Sequence, residues 1–434
     1  MSRALAIRAL VRIETGAYAN VVLPPLLRDS TLAARDRAQV TEWVYGATRR
    51  QRTLDHMLRA CVARPIDKLD PPVRAALRLG AYQLLTGISP HAAVGETVSA
   101  TGVVSPRAKG FVNAVLRKLA AAGPPWPLPT GDDVESIAIR ASMPDWIVER
   151  LVHDLGASDA AAMLAAVNEP GVVTLRVNPL RATAAEVEAE LVAAGVIVTR
   201  GALVEDAVLV TGTGDIRALP CVRDGRATPQ DQASQMVAAL VGASPGDRVL
   251  EVGAAPGGKS TAMAEGMSDH GVVVAVDRHA GRTRLIAEGA SRLQLRSVRP
   301  VVADGMELPF ADGSFDRVLL DAPCSGLGVL RRRPEARWRL EAHTVDQLAE
   351  LQPRLLGAAA RAVRPGGTLV YSVCTLTNAE TVAVDEWAMQ ALPNFEAVAP
   401  PSRPWTPVGR GARLLPSAAD TDGMYLLRLQ RAHR

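Results

Sequence analysis

The chain has 434 residues, of which 48% are hydrophobic, 22% are charged and 3% are aromatic. This length exceeds one ordinary hydrophobic core, so about two to four domains are expected, and extended aromatic stacking surfaces are excluded. No apolar run approaches the roughly 18 residues that span a membrane, and the seven histidines form no ligand cluster, so neither a membrane nor a metal partner is predicted. Four widely spaced cysteines without a signal peptide predict free thiols and a cytoplasmic location.

Positive charge is concentrated near the N-terminus. Residues 1–125 hold 18 Lys and Arg against 8 Asp and Glu, whereas the whole chain has a net charge of only +4, so the remainder is mildly acidic. A basic segment attached to an acidic body is typical of a polyanion-binding module joined to a catalytic domain. Solvated helix faces also carry arginine, so the charge favours a nucleic-acid partner without establishing one.

The first 122 residues predict an all-helical bundle of five or more members. Apolar residues recur at three-to-four spacing, as in Val40, Val44 and Ala47. Short breaks containing proline, including Pro24-Pro25, separate the predicted helices because proline cannot donate the helical hydrogen bond.

A stiff, proline-dense segment at Gly123–Thr130 marks the clearest domain boundary. Further helices follow, then a small α+β unit, and then buried strands that alternate with helices. This alternation predicts a parallel sheet covered by helices on both faces. The predicted strands of that sheet are Arg248–Val252, Val272–Val276, Val298–Val302, Arg317–Leu320 and Leu369–Ser372. The predicted parts of the chain are a helical domain (1–125), a linker with connecting helices (126–170), a small α+β unit (171–228) and a catalytic domain (229–434).

A glycine-rich loop follows the first of these strands, with the sequence Glu251-Val-Gly-Ala-Ala-Pro-Gly-Gly-Lys-Ser260. Glycines at a strand-to-helix turn let a ligand approach the backbone closely. The spacing from Gly253 to Lys259 also fits the P-loop pattern of nucleotide triphosphatases, so that alternative has to be weighed.

Acidic residues at the ends of successive strands favour a different ligand. The second strand ends in Asp277, where a carboxylate can bind ribose hydroxyls, and the third ends in Asp304, where one can meet an adenine edge. The nucleotide site of a triphosphatase does not require an acid at the end of each of these two strands. The pattern therefore favours S-adenosylmethionine as the ligand.

Two of the four cysteines stand at predicted strand ends. Cys324 lies in the turn Asp321-Ala-Pro-Cys-Ser-Gly-Leu-Gly328, and Cys374 follows the apolar run that begins at Leu369. An isolated cysteine is usually a small buried hydrophobe, and that interpretation stays open for Cys61 and Cys221. For Cys324 and Cys374, nucleophilic chemistry is the favoured interpretation.

These residues together resemble the NOL/NOP2/Sun family of RNA 5-methylcytosine methyltransferases over nearly the whole chain. The helical segment is similar to NusB-type RNA-binding domains, through Glu42-Trp-Val-Tyr-Gly46 and Lys109-Gly-Phe-Val-Asn-Ala-Val-Leu-Arg117. The other segments in the family order are Thr174–Asn178, Gln230–Ser234, loop 253–259, Asp277 with Arg282, Asp304, Asp321–Cys324, Tyr371–Leu376 and Asp422–Tyr425.

The resemblance implies a multidomain fold: a NusB-like bundle, a small α+β RNA-facing unit and a Rossmann-like methyltransferase domain that binds S-adenosyl-L-methionine. It implies that Cys374 attacks cytosine C6, that Cys324 assists product release, and that Asp321 hydrogen-bonds the base. The implied partner is small-subunit (16S) ribosomal RNA, within an assembly intermediate, and a monomer suffices. A tRNA substrate and a non-catalytic RNA-binding or assembly factor are the alternatives. The implied cofactor-binding residues are Gly253, Ala254, Ala255, Pro256, Gly257, Gly258, Lys259, Asp277, Arg282, Asp304 and Asp321.

Several residues depart from the family pattern, or follow it with an uncertain role. Glu251 stands where the family usually has Asp, and Gly253 replaces a common Cys or Ala. Gly95 removes an expected Asn from the helical domain. Five arginines within 331–339 suit phosphate contacts beside a flipped base, with Trp338 available for stacking, although a solvated arginine face is the alternative.

Overall fold

A computed structural model describes residues 1–433 of the chain. These residues form two compact units, one of residues 1–153 with 332–340 and the other of residues 154–331 with 341–433. Within the described residues, no helix is both long and apolar enough to cross a bilayer. The predicted fold class is confirmed, because a helical bundle, a small α+β unit and a Rossmann-like domain are all present.

The first unit is helical throughout. Its core contains the predicted apolar face of the third helix, where Val40, Val44 and Ala47 are buried. Proline marks helix starts as expected at Pro71 and Pro90. Its helices are α1 (Ser2–Glu14), α2 (Ala19–Arg28), α3 (Ala34–Arg49), α4 (Gln51–Arg59), α5 (Pro71–Leu85), α6 (Pro90–Val104), α7 (Lys109–Ala122), α8 (Val134–Ala141) and α9 (Asp145–Leu155), the last continuing past the unit boundary.

One predicted break in this bundle is wrong. Pro24 and Pro25 lie inside α2 rather than between helices. The helix tolerates them because its apolar face is held by tertiary burial of Ala19, Val22 and Leu23, which outweighs two missing hydrogen bonds. The proline-dense segment 123–130 lies within the first unit, where Trp126 donates a hydrogen bond to the carbonyl oxygen of Leu119 at 3.1 Å.

The second unit begins with a small antiparallel sheet. Thr183 and Glu186 form a reciprocal capping box that starts its principal helix. The strand order is β2-β3-β1-β4, and β4 was missing from the sequence prediction because it has only three residues. The elements are α10 (Ala157–Ala166), β1 (Val173–Val177), α11 (Ala184–Ala193), β2 (Ile197–Arg200), β3 (Ala207–Thr211), α12 (Pro220–Arg223) and β4 (Ala227–Pro229).

The remainder of the second unit is built on one large sheet with the order β11-β12-β13-β9-β8-β5-β6-β7, and β10 pairs with β13. All five predicted strands are present as β5 to β9, and they are parallel. The elements are α13 (Gln232–Leu240), β5 (Arg248–Val252), α14 (Gly258–Gly266), β6 (Val272–Asp277), α15 (Ala280–Leu293), β7 (Val298–Val302), β8 (Phe315–Asp321), α16 (Ala342–Ala362), β9 (Val363–Val373), α17 (Val382–Ala391), β10 (Phe395–Ala397), β11 (Thr406–Val408), β12 (Gly411–Leu414), α18 (Pro416–Ala419) and β13 (Met424–Arg431).

Both faces of this sheet are buried. Along β8, Leu319 belongs to one hydrophobic core, whereas Val318 and Leu320 belong to the core on the other face. This arrangement explains the continuous apolar runs that identified the parallel strands. The antiparallel strands after α17 were not predicted from the sequence. Three of them have only three or four residues, and the fourth, β13, begins with the apolar run Met424–Leu427.

Candidate active site

The candidate site lies at the carboxyl edge of the parallel strands. Strand β5 ends at the glycine loop, β6 ends at Asp277, β8 ends at Asp321, and Cys374 directly follows β9. Because the strands are parallel and adjacent in the order β9-β8-β5-β6-β7, these ends meet at one edge of the sheet. The sequence therefore predicted correctly which side chains share this edge.

The glycine loop is fixed against both neighbouring strand ends. The amides of Gly253 and Ala254 both donate to the carbonyl oxygen of Val276 at 2.9 Å. Gly253 has a φ of +79°, and a Cβ there would collide with the carbonyl oxygen of Asp321. Glycine at this position thus lets the loop contact β8 closely, rather than only loosening it.

The acids after β6 and β7 are held in place by local backbone amides. Asp277 is buried and accepts a hydrogen bond from the amide of His279 at 3.0 Å. Arg282 lies 3.4 Å from Asp277 and also donates to the carbonyl oxygen of Ala255 at 3.0 Å, which joins the second strand end to the glycine loop. One carboxylate oxygen of Asp304 accepts from the amide of Met306 at 2.9 Å.

A mostly buried cation, Lys259, pairs with an acid at the centre of the edge. Lys259 Nζ lies 2.7 Å from Asp321 Oδ2. Burial alone would lower the pKa of Lys259, but the neighbouring Asp321 carboxylate outweighs burial and raises it. Asp321 therefore favours the charged form of Lys259.

Glu251, which stands where the family usually has an aspartate, is not available to a ligand because it is bound within the loop. Its carboxylate accepts a hydrogen bond from Ser260 Oγ, and its side chain is almost fully buried. Burial, followed by the charge of Asp321, raises the pKa of Glu251 to about 8. Burial thus favours the neutral form of this carboxyl group, and the hydrogen bond from Ser260 holds its side chain within the loop.

The two predicted cysteines are in direct contact. Cys324 Sγ and Cys374 Sγ lie 3.4 Å apart, and both residues are partly exposed. The hydrogen bond from Cys324 lowers the pKa of Cys374, and Lys259 favours the same charged form. The same hydrogen bond raises the pKa of Cys324 well above its usual value. In this arrangement the thiol of Cys374 has the lower pKa of the two.

A buried carboxylate behind the thiols was missed in the sequence. Glu380, in a 3-10 turn at Asn378–Glu380, is fully buried and accepts hydrogen bonds from residues next to both cysteines. The only indication in the sequence was the position of this acid, just beyond the Tyr371–Leu376 motif. That signal is weak because an acid near a helix start is usually a solvated cap.

Two further family motifs support the cysteine loops. The amide of Gly328 donates to the carbonyl oxygen of Cys374 at 2.9 Å, and the amide of Gly423 donates to the carbonyl oxygen of Gly328 at 2.9 Å. A side chain at Gly328 would collide with the carbonyl oxygen of Gly423. The Asp422–Tyr425 motif thus packs its backbone against the turn that contains Cys324.

The start of the small α+β unit is linked to the glycine loop. Arg176 is buried and donates to the carbonyl oxygen of Gly258 at 2.6 Å and to Gln230. It also pairs with Glu265 of α14 at 2.8 Å. This motif residue therefore supports the loop and has no surface available for RNA.

Part of the arginine-rich segment is bound inside the helical unit rather than available to RNA. Arg337 is fully buried in the helical unit and donates to the carbonyl oxygens of Arg49 at 3.3 Å and Ser142 at 3.2 Å. Trp338 donates its indole N–H to the carbonyl oxygen of Thr48 at 2.8 Å. The reason is that guanidinium groups also satisfy backbone carbonyls at helix ends, a role that composition does not distinguish from phosphate binding.

The other two cysteines are packed in cores. Cys221 is buried in the core of the small α+β unit, and Cys61 packs against the helical core. Burial raises the pKa of both thiols. Neither environment favours a reactive thiolate.

The residues of the edge fit S-adenosyl-L-methionine. Asp277 is fixed at the place where ribose hydroxyls would be bound. The second carboxylate oxygen of Asp304 accepts no hydrogen bond from the described residues, so it is available to an adenine amino group. The loop's backbone and the strand-end acids supply the polar groups that a charged, zwitterionic nucleoside needs.

Three family models match the chain. Residues 238–430 match "16S rRNA methyltransferase RsmB/F", residues 1–121 match the "NusB family", and residues 143–217 match "Methyltr_RsmF/B-like, ferredoxin-like domain". A relative from Bacillus subtilis, "Probable ribosomal RNA small subunit methyltransferase B", is 34% identical, and the match covers 99% of this chain and 98% of the relative. "Ribosomal RNA small subunit methyltransferase B" of Vibrio cholerae is 31% identical over 99% of this chain and 98% of its own.

Solved structures share the fold. The crystal structure of PH0851 has a TM-score of 0.85 and 26% identity, and covers 99% of both chains. The crystal structure of NSun6 from Pyrococcus horikoshii with SFG has a TM-score of 0.62 and 20% identity, and covers 67% of this chain and 98% of its own. The second likeness concerns the fold alone.

Proposed function

Because the chain belongs to the RsmB/F methyltransferase family, as its sequence predicts, we propose that it methylates C5 of cytosine in 16S ribosomal RNA through a covalent cysteine adduct. The chain is an S-adenosyl-L-methionine-dependent RNA methyltransferase. The observation that supports the covalent route is the pair of thiols, Cys324 and Cys374, 3.4 Å apart beside the Lys259–Asp321 ion pair. A methyltransferase that acts without covalent catalysis has no need for two thiols there.

Cys374 is proposed to attack C6 of the base. Cytosine C5 is a weak nucleophile, but a sulfur–C6 bond gives C5 enamine character. Lys259 and the hydrogen bond from Cys324 stabilise the thiolate that this attack requires. Asp321 hydrogen-bonds the base and supports a proton at N3 as negative charge moves into the ring.

Product release reverses the addition. After methylation the C5 proton must leave and the bond between Cys374 and C6 must break, returning the electron pair to sulfur. Cys324 is proposed to assist this elimination, since its sulfur lies in contact with that of Cys374. When bound, S-adenosyl-L-methionine supplies the electrophilic methyl group.

The residues proposed to hold the methyl donor are those of the carboxyl edge. Asp277 with Arg282 would bind the ribose, Asp304 the adenine, and Lys259 with Asp321 the charged end of the donor. The glycine loop would allow close backbone approach through Gly253, Ala254, Ala255, Pro256, Gly257 and Gly258.

The remaining parts are proposed to deliver RNA. The four-part division at residues 125, 170 and 228 assigns RNA binding to the basic helical domain, with a surplus of Lys and Arg, 18 against 8 acids. The substrate is proposed to be rRNA in a small-subunit assembly intermediate. We further propose a cytoplasmic monomer.

The test is transfer of labelled methyl groups to unmodified 16S rRNA, followed by nucleoside analysis. Wild-type protein should yield 5-methylcytidine, Cys374→Ala should yield none, and Cys61→Ala, a matched thiol outside the site, should match wild type. An active Cys374→Ala variant would overturn the assignment of the attacking thiol. Methylation of tRNA alone would overturn the substrate, and RNA binding without any methyl transfer would favour a non-catalytic factor.

A further inference from the structure

Glu380 is a buried carboxylate with an unusually complete set of neutral donors. Its side chain is fully buried directly behind the two thiols. Its Oε1 accepts from the Ser325 amide at 2.8 Å and from Gln352 at 3.1 Å. Its Oε2 accepts from the hydroxyls of Ser325 at 2.6 Å, Thr377 at 2.8 Å and Thr375 at 3.1 Å.

This carboxylate has no cation as a direct partner among the described residues, since each of its five side-chain hydrogen bonds comes from a neutral group. Burying a charge without a counter-ion is energetically costly, and hydrogen bonds only partly offset that cost. An apolar side chain of similar volume would fill the same space without this cost. Packing alone therefore does not explain why residue 380 is a glutamate.

The donors connect the carboxylate to both cysteine loops. Ser325 directly follows Cys324, and Thr375 directly follows Cys374. Gln352, which donates to Glu380, also donates to the carbonyl oxygen of Pro323 at 2.9 Å. One carboxylate thus ties together the residues on either side of Cys324 and the residue after Cys374.

The charge of Glu380 acts unequally on the two thiols. The hydrogen bond to Cys374 is the main reason that the pKa of Cys324 is raised, and burial, the charge of Cys374 and the charge of Glu380 raise it further. For Cys374, the hydrogen bond from Cys324 lowers the pKa, and the charges that contribute most are those of Asp321, Lys259 and Asp422 rather than Glu380. The negative charge therefore disfavours ionisation of Cys324 in particular.

We propose that Glu380 is a positioning residue that clamps the two cysteine loops together and keeps the proton on Cys324, so that Cys374 carries the charge. The proposal rests on the proposed function, because it names the residue that prepares the attacking thiolate. Its geometric part is the set of hydrogen bonds to both loops. Its electrostatic part is a negative charge that disfavours ionisation of Cys324 more than that of Cys374.

Alkylation by iodoacetamide at a series of pH values tests the proposal independently of methyl transfer, with mass spectrometry to read each cysteine. Glu380→Gln keeps the length and removes the charge, whereas Glu380→Asp keeps the charge and shortens the reach. Glu386→Gln, an exposed carboxylate on α17, is the matched control. Thermal unfolding of each variant monitors the fold.

In wild type and in Glu386→Gln, Cys374 should be alkylated in preference to Cys324 at neutral pH. In Glu380→Gln the pH at which Cys324 reacts should move downward, and the preference for Cys374 should fall by at least about threefold, because thiolate fraction controls reactivity. Glu380→Asp should retain the pH dependence of Cys324. Both Glu380 variants should slow single-turnover methyl transfer on the order of tenfold to a hundredfold, because the thiols lose alignment.

An unchanged pH dependence of Cys324 alkylation in a folded Glu380→Gln protein would overturn the electrostatic part. If Glu380→Gln does not fold, Ser325→Ala, which removes one donor to the same carboxylate, should still reduce the preference for Cys374, and an unchanged preference there would overturn the clamp. Failure of the proposed function is a separate result. It would appear as absence of methyl transfer by the wild-type protein, while the alkylation pattern would still report on Glu380.

Discussion

The carboxyl edge of the sheet and the segment 331–339 both gather polar residues, but the structure uses them differently. At the edge, Lys259 pairs with Asp321, the two thiols contact each other, and all four side chains remain partly accessible. In the segment, Arg337 is buried and bound to backbone carbonyls. The polar groups of the edge face each other across adjacent strand ends, whereas those of the segment satisfy the backbone of neighbouring helices.

The difference shows which sequence signals carry chemistry. A parallel sheet brings the ends of adjacent strands to one edge whatever the intervening loops do, so residues at those ends converge. A run of arginines has no such geometric constraint. Its members can bind phosphate, remain solvated or cap helices, and the choice depends on tertiary packing.

Removal of the cation at the edge should have the largest effect on activity. Lys259→Met leaves the volume nearly unchanged but removes the charge that favours the Cys374 thiolate, so methyl transfer should fall on the order of a hundredfold. Alkylation of Cys374 should need a higher pH than in wild type, because the pKa of this thiol rises when the cation is lost. The exposed Arg296→Met, just before β7 and outside the basic helical domain, is the control and should change neither quantity. Wild-type activity in Lys259→Met would place this lysine outside the site.

Arg337→Ala should instead act on stability. Loss of this buried guanidinium leaves carbonyls of Arg49 and Ser142 without their donor and opens a cavity, so unfolding free energy should fall by about 2–4 kcal/mol. The exposed Arg333→Ala, four residues earlier, should stay within about 0.5 kcal/mol of wild type. Thermal or denaturant unfolding measures both. Equal stability of the two variants, with weaker RNA binding by Arg337→Ala, would restore the phosphate-contact interpretation.

Because of Glu251, the free energy of unfolding should depend on pH. Its pKa is about 8 in the folded chain against an ordinary 4.5, so the unfolded state releases this proton first as pH rises. Wild type should therefore lose stability relative to Glu251→Gln between about pH 5 and pH 8, by at most about 1.4 kcal/mol per pH unit. Unfolding at several pH values measures the difference. Parallel stability curves for the two proteins would mean that Glu251 is ionised in the fold.

The sequence predicted the parallel strands, the loop and the residues of the edge because each rests on a local pattern with fixed geometric consequences. It did not predict β10 to β12, which have only three or four residues and resemble loops, or β13, whose apolar run Met424–Leu427 was not recognised as a strand. It also did not predict Glu380, because the donors around it come from three separate elements that only the fold assembles. The sequence did not predict the burial of Arg337 for the same reason.

The central claim is that Cys374 forms the bond to RNA while Cys324 stands beside it. Cys324→Ala incubated with unmodified 16S rRNA and S-adenosyl-L-methionine should accumulate a protein–RNA complex that survives denaturation, because release is impaired. Mass spectrometry of the complex should place the RNA on the peptide containing Cys374, and the Cys324→Ala/Cys374→Ala double variant should form none. A stable complex formed instead by Cys374→Ala, with RNA attached at Cys324, would contradict the account.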